Sequence, residues 1–314
     1  MKILANLQLD SSQVRQIEAV SETIEVLTAD SEGEVLELMP EIDVVFGNFS
    51  HEMFLLGKNL KWVQVGSAGV NDLMYSDFVD SEVIMTSAKG LVGVHLAEHA
   101  MALLLALTRG VAWSIRNPSW DQRAATRSIS WELLDGTMGI VGLGGTGREL
   151  AIRALGFGMR VIAVDPENVE LPHGIDACWR MDKFHQLLEE ADVVAICAPL
   201  TSETEGMFDL AAFQLMRKHA LLINVTRGAI VDEHALLQAL DHGLIGGAGL
   251  DVTPQEPLPT DHPLWQMSNV VITPHSAGGS PRRMDRSVEL FCDNLRLLLS
   301  NKPLNNVIDK NKGY

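Results

Sequence analysis

The stretch from Met138 to Asp165, MGIVGLGGTGRELAIRALGFGMRVIAVD, constrains the fold of this 314-residue chain more than any other. A short apolar run enters a turn in which Gly142, Gly144 and Gly147 keep the spacing G-x-G-x-x-G. A helical pattern follows, and a second apolar run, RVIAV, ends in Asp165. Gly142 allows the tight turn, Gly144 lets the backbone come close to a pyrophosphate, and Gly147 lets the helix lie close on the strand. The amides of Gly145 and Thr146 open the helix, where bare N–H groups and the helix dipole favour an anion. Asp165 stands 21 residues after Gly144, the distance expected of a carboxylate that holds ribose hydroxyls. Such a carboxylate repels a 2′-phosphate, and Pro166, Glu167 and Asn168 bring no Arg or Lys to receive one. The stretch predicts a βαβ dinucleotide unit that prefers NAD(H) to NADP(H).

The rest of the chain repeats the same rhythm twice over. MKILANL, SSQVRQIEAV with helical spacing, TIEVL, EVLELM, DVVFGN, KWVQVGSAGV and EVIMTSA suggest a small parallel sheet covered by helices. From Leu96 to Thr108 the sequence LAEHAMALLLALT is apolar nearly all round, so a helix there is buried on several sides, at a domain or subunit boundary. The Trp-rich segment after Arg109 reads as an arm for a partner subunit. A second series of strands, MGIVGL, RVIAVD, DVVAICAP, ALLINVT, IGGAGLDV and NVVITP, follows. RMDRSVELFCDNLRLLLS is an amphipathic helix that carries the chain back, and the tail LNNVIDKNKGY could lie on the first domain. The expected architecture is α/β, with a flavodoxin-like substrate domain (1–96 and 285–314), a doubly wound dinucleotide domain (97–284) and a cleft between them. The hinge is expected near Leu96 and near Pro281.

Composition excludes several alternatives. A net charge of -17 argues against nucleic acid or an anionic membrane as the main partner, because both need a basic surface. The charge serves solubility, with adaptation to high salt as a second reading. No apolar run approaches the ~18 residues of a membrane span, and MKILANLQLD is no secretory signal. Cys178, Cys197 and Cys292 lack metal or redox spacing and read as buried small hydrophobes in a reducing, cytoplasmic protein.

Three charged residues stand just past strands of the second series: Arg227 in NVTRGAIVD, Glu256 in TPQEPLP and His275 in ITPHSAGG. Ligands of open parallel sheets gather outside the carboxyl ends of the strands, so the three can converge. Reduction of a 2-oxo acid needs hydride on carbon and a proton on oxygen. His275 can give that proton as general acid. Glu256 would favour the imidazolium and orient the ring, and the planar fork of Arg227 suits a substrate carboxylate.

VGSAGVNDL, LAEHAMALLLALTR, GTMGIVGLGGTG, APLTSETEGMF, NVTRGAIVDE, GAGLDVTPQEPLP and ITPHSAGG together resemble the D-isomer-specific 2-hydroxyacid dehydrogenases over nearly the whole chain. The intervals of 29 and 19 residues between Arg227, Glu256 and His275 resemble that family too. The resemblance implies Arg227, Glu256 and His275 as catalytic residues. It implies backbone N–H groups of Ser67, Ala68 and Gly69 on the substrate carboxylate, together with Arg227. It also implies a cofactor groove with Pro199, Thr204, Thr226, His275 and Gly278, and Asp251 accepting from the nicotinamide carboxamide. The implied reaction is NADH-dependent reduction of glyoxylate or hydroxypyruvate by a homodimer built on the buried helix and the arm. Thr146 and Ser276 stand where the family more often has isoleucine.

Competing readings remain open at this point. His95-Leu-Ala-Glu98-His99 spells H-x-x-E-H, a zinc-peptidase pattern, without a third ligand. The resemblance makes that segment structural. A non-catalytic NAD(H)-sensing regulator could share the scaffold but would not need Arg227, Glu256 and His275. A phosphoglycerate or phosphite dehydrogenase would share the cofactor chemistry. The first would want added basic residues at the substrate mouth and often a regulatory domain.

Overall fold

Five strands form one parallel sheet: β1 (Lys2–Asn6), β2 (Glu25–Leu27), β3 (Val44–Gly47), β4 (Trp62–Gln64) and β5 (Ile84–Thr86), in the order β2-β1-β3-β4-β5. The computed structural model describes residues 1–313, and this sheet belongs to a unit made of 1–92 and the C-terminal segment from 280. The order is the flavodoxin-like 2-1-3-4-5. Val44, Val45 and Phe46 are fully buried because a parallel sheet is covered on both faces. On one face the helix Arg283–Leu299 lays down Val288, Phe291, Cys292 and Leu295, an i, i+3, i+4, i+7 stripe. The ring of Phe291 stacks on Phe46 at 4.2 Å and on Trp62 at 4.8 Å. The tail runs along β5, where Ile308 N donates to Met85 O at 2.9 Å and Ile308 is buried. Tyr314, the last residue of the tail, lies outside the described residues. EVLELM, which stands among the β-rich runs of the sequence, is a helix (Glu32–Leu38) started by Ser31, whose Oγ accepts from Glu34 N at 3.3 Å.

Seven parallel strands form the sheet of the second unit, 93–279. They are β6 (Thr137–Val141), β7 (Arg160–Val164), β8 (Ala177–Trp179), β9 (Val193–Ile196), β10 (Leu221–Asn224), β11 (Gly247–Leu250) and β12 (Val270–Ile272). The order β12-β11-β10-β9-β6-β7-β8 is the doubly wound 3-2-1-4-5-6 arrangement with a seventh strand added at β12. It confirms the expected pair of Rossmann-like sheets. β8 was not foreseen: a run of three residues is too short to show a period.

The helix Gly93–Thr108 explains its own composition. A Cβ on Gly93 would sit 2.8 Å from Gly145 O, and one on Gly249 would sit 2.9 Å from Leu103 Cβ. The helix therefore lies between the helix Gly145–Gly156 and the sheet at β11, and Ala97, Ala100, Leu103 and Leu104 are buried there. The chain passes between the units at 92/93 and 279/280, whereas the breaks at 96/97 and 284/285 would cut this helix and the helix Arg283–Leu299. Beyond Thr108 the arm forms two short helices, Val111–Arg116 and Arg123–Ile129. Arg116 ties it down through Met267 O, Ser268 O and Val270 O, while Ile115, Trp120 and Ile129 stay exposed, Trp120 at 92%.

All three thiols are free. Cys292 is buried and the other two are partly buried against the core of the second unit. Burial pushes the Cys197 thiol up to about 12. No helix among the described residues is long and apolar enough to cross a membrane.

Candidate active site

The glycine loop joins β6 to the helix Gly145–Gly156, and each of its glycines meets a different physical demand. Gly142 has φ +93°, and a Cβ there would lie 2.8 Å from the backbone of Ala198. A Cβ on Gly147 would sit 2.2 Å from Gly142 O, so the helix approaches the strand as closely as it does only because that atom is missing. Gly144 is the N-cap, without a capping side chain, and a Cβ built on it would face open space. The first amides of the helix are thus left bare in front of room for a ligand, as a pyrophosphate requires.

Asp165 follows β7, the neighbour of β6. Its carboxylate accepts from Leu143 N in the glycine loop at 2.8 Å and from Glu167 N at 2.9 Å. The carboxylate anchors the loop and retains acceptor capacity for ribose hydroxyls. The residues present fit a dinucleotide. Beside it stands a residue the sequence did not point to. Arg180, just past β8, donates Nη1 to Asn168 Oδ1 at 3.4 Å. The local reading found no base among residues 166–168, but strand pairing brings one there from the next strand.

At the other side of the sheet, three adjacent strands end in the reactive-looking residues. Arg227 lies past β10, Glu256 past β11 and His275 past β12. His275 Nδ1 lies 2.7 Å from Glu256 Oε2. Glu256 Oε1 is in turn held by Thr253 N at 3.1 Å. The carboxylate accepts, so Nδ1 carries a proton and Nε2 is the nitrogen left for other partners. His275 is half exposed and takes φ +50°, a left-handed conformation rare for a side chain of its size. That backbone is held by His275 N on Asp251 O at 2.8 Å and on Thr273 O at 3.0 Å. Arg227 donates Nη1 to its neighbour's carbonyl, Thr226 O, at 2.8 Å and forms no ion pair among the described residues.

Asp251 faces the loop after β12. The family resemblance gives it the nicotinamide carboxamide. Here its side chain is 1% exposed and accepts from Thr273 Oγ1 at 2.6 Å, Ser276 N at 2.9 Å and Ala277 N at 2.9 Å. A buried carboxylate must be met by donors, and these donors all come from the loop that carries His275. Thr204 likewise turns inward, its hydroxyl donating to Pro199 O at 2.8 Å, and Thr226 Oγ1 donates to Asn224 Oδ1 at 3.3 Å. Gly278 lies in the loop after His275.

In the first unit, Ser67, Ala68 and Gly69 follow β4. Ser67 Oγ donates to Gly69 O at 2.8 Å, Ser67 O accepts from Ala88 N at 2.9 Å, and Gly66 O accepts from Arg283 Nη2 at 2.7 Å. The amides of Ser67, Ala68 and Gly69 take no acceptor among the described residues. Successive bare amides of this kind suit an anion.

The H-x-x-E-H pattern does not form a metal centre. Glu98 pairs with Arg153 at 3.2 Å, and no group of three or more His, Cys, Asp and Glu among the described residues could hold a metal.

A dinucleotide loop and a His–Glu pair on one doubly wound sheet define the class of a nicotinamide-dependent oxidoreductase. Residues 101–277 match the model of the D-isomer specific 2-hydroxyacid dehydrogenase, NAD binding domain. The chain is 34% identical over 251 residues to a glyoxylate reductase of Korarchaeum cryptofilum, covering 78% of this chain and 74% of that one. It is 28% identical over 319 residues to a D-3-phosphoglycerate dehydrogenase of Methanocaldococcus jannaschii, covering 98% of this chain but 59% of that one. A D-isomer specific 2-hydroxyacid dehydrogenase from Xanthobacter autotrophicus Py2, solved with NADPH and MES, superposes with a TM-score of 0.83 at 26% identity, covering 100% of this chain and 99% of that one. The chain belongs to the D-isomer specific 2-hydroxyacid dehydrogenase family and is an oxidoreductase acting on CH–OH groups.

Proposed function

We propose that the protein reduces a small 2-oxo acid, glyoxylate or hydroxypyruvate, to the D-2-hydroxy acid with NADH, and runs in reverse. The observation that carries this reading is the 2.7 Å contact from His275 Nδ1 to Glu256 Oε2. It holds a proton on Nδ1, and in the imidazolium form Nε2 carries the second proton, which passes to the substrate oxygen as hydride reaches the carbon. The nicotinamide, when bound, supplies the hydride. Arg227 takes the substrate carboxylate and polarises the carbonyl, since a guanidinium without an acidic partner still has its donors to give. The bare amides of Ser67, Ala68 and Gly69, in the first unit, suit a carboxylate as well. Gly144, Gly145, Thr146 and Gly147 receive the pyrophosphate, and Pro199, Thr204, Thr226 and Gly278 shape the groove.

NADH is preferred because Asp165 repels a 2′-phosphate. Arg180 beside Asn168 works against that preference, so NADPH is the weaker rather than an excluded coenzyme. The exposed Ile115, Trp120 and Ile129 of the arm form the face for a second copy, making a homodimer.

The test is the loss of reduced-nicotinamide absorbance, with NADH and NADPH separately, over glyoxylate, hydroxypyruvate, pyruvate, phenylpyruvate and phosphohydroxypyruvate, with phosphite assayed in the oxidative direction. Fast oxidation of NADH by glyoxylate or hydroxypyruvate supports the proposal. Silence on every substrate while NADH still binds would favour a sensing role.

A further inference from the structure

We infer that His99 is a positioning residue for His275, acting through Thr273 and Asp251. The inference rests on the catalytic reading of His275 given above. His99 belongs to the H-x-x-E-H pattern and lies in the middle of the helix Gly93–Thr108. Its Nε2 lies 2.7 Å from Thr273 Oγ1 and 3.3 Å from Asp251 Oδ1.

Counting protons fixes the direction of these contacts. Asp251 faces the amides of Ser276 and Ala277, so its carboxyl group is an acceptor on both oxygens. The 2.6 Å contact from Thr273 Oγ1 to Asp251 Oδ1 therefore uses the one proton a threonine hydroxyl has. His99 Nε2 must bring its own proton and donates to Thr273 Oγ1. The chain of donors runs from His99 to Thr273 to Asp251, and Asp251 holds the two amides that follow His275. His275 itself stands at φ +50°, a conformation that lasts only where the surroundings over-determine it. His99 joins this loop to a buried helix, which itself rests on the helix of the glycine loop.

Loss of the His99 donor leaves Thr273 and Asp251 free to turn, and the loop that aims the imidazole loosens. The reacting geometry suffers more than cofactor binding, because the glycine loop Gly142–Gly147 is pinned by Asp165 and not by Asp251. Misplacement of a catalytic group by a fraction of an ångström to one ångström is enough to cost tenfold or more in rate.

The experiment compares His99→Leu with His99→Gln, whose side-chain amide can still donate, and with Thr273→Val, which removes the middle hydroxyl. Measured are kcat and KM for the 2-oxo acid, the Kd for NADH, and amide hydrogen exchange of segments 273–279 and 137–147. The inference expects His99→Leu and Thr273→Val to lower kcat by about tenfold with the Kd for NADH within about twofold. Exchange should quicken in 273–279 alone, and His99→Gln should recover most of the rate. It is overturned if His99→Leu leaves kcat and 273–279 exchange unchanged, if exchange rises equally in both segments, or if Gln behaves like Leu. Should the unmodified protein reduce none of the 2-oxo acids, the catalytic reading fails, and the exchange pattern still decides whether His99 orders the loop.

Discussion

Two loops of the same sheet solve a similar problem by different means. The loop after β6 (142–147) and the loop after β12 (273–279) are each pinned by an aspartate from the end of the adjacent strand. Asp165 holds Leu143 N, and Asp251 holds Ser276 N and Ala277 N. The first loop reaches its shape with glycines and leaves backbone amides bare. The second forces a histidine into the left-handed region and surrounds its aspartate with donors. A site that must admit a large anion does best with absent side chains. A site that must aim one nitrogen does best with a side chain whose backbone is locked.

The comparison can be broken at several points, taken from the largest effect down. Gly147→Val puts carbon where Gly142 O already lies, and the helix must move off the strand. It is expected to destabilise the protein by ~3 kcal/mol or more and to abolish NADH binding, as thermal unfolding and fluorescence titration would report. Near-native stability would mean the close approach is not needed. Glu256→Gln keeps the shape of the pair but weakens its grip on Nδ1. Its kcat should fall by ~10²-fold with KM for NADH little changed, and equal loss in both parameters would point instead to a binding role.

Asp165→Ala leaves Leu143 N without its acceptor and removes the charge that repels a 2′-phosphate. The ratio of kcat/KM for NADH over NADPH should fall by roughly tenfold, ~1.4 kcal/mol, and Arg180→Ala should move the ratio the opposite way. A ratio indifferent to both substitutions would remove the cofactor argument. Asp192 offers the smallest effect. Burial works to raise its carboxyl value, but Thr137 N at the start of β6, then His219 and Arg217, outweigh it and hold the group below its ordinary 3.8. A depressed carboxylate contributes stability that is complete above its ordinary value and is lost as pH falls through the lower folded one. Asp192→Asn should therefore cost ~1 kcal/mol at neutral pH, and the gap to the unmodified protein should close in acid. A gap that persists in acid would assign the loss to packing.

The sequence was most legible where a backbone demand leaves only one residue type. Gly142 and Gly147 are such positions, and an acid at the end of β7 follows from ligand chemistry. Arg227, Glu256 and His275 could be read because parallel strands put their carboxyl ends on one edge. Arg180 was hidden because its strand, Ala177–Trp179, is too short to show a period, and because its neighbour at Asn168 is joined only through the sheet. The inward turn of Asp251 was hidden for a similar reason. Its donors lie 22 to 26 residues away on the next strand and loop, and nothing local distinguishes a carboxylate facing a cofactor from one facing its own backbone. His99 was masked by a pattern that suggests metal, when its partner is a threonine 174 residues further on.

The most direct test is His275→Asn, assayed for NADH oxidation with glyoxylate or hydroxypyruvate beside a titration of NADH binding. The account predicts a kcat lower by ~10²–10⁴-fold with the Kd for NADH within about twofold. Turnover equal to that of the unmodified protein would contradict the assignment of His275 as the proton donor.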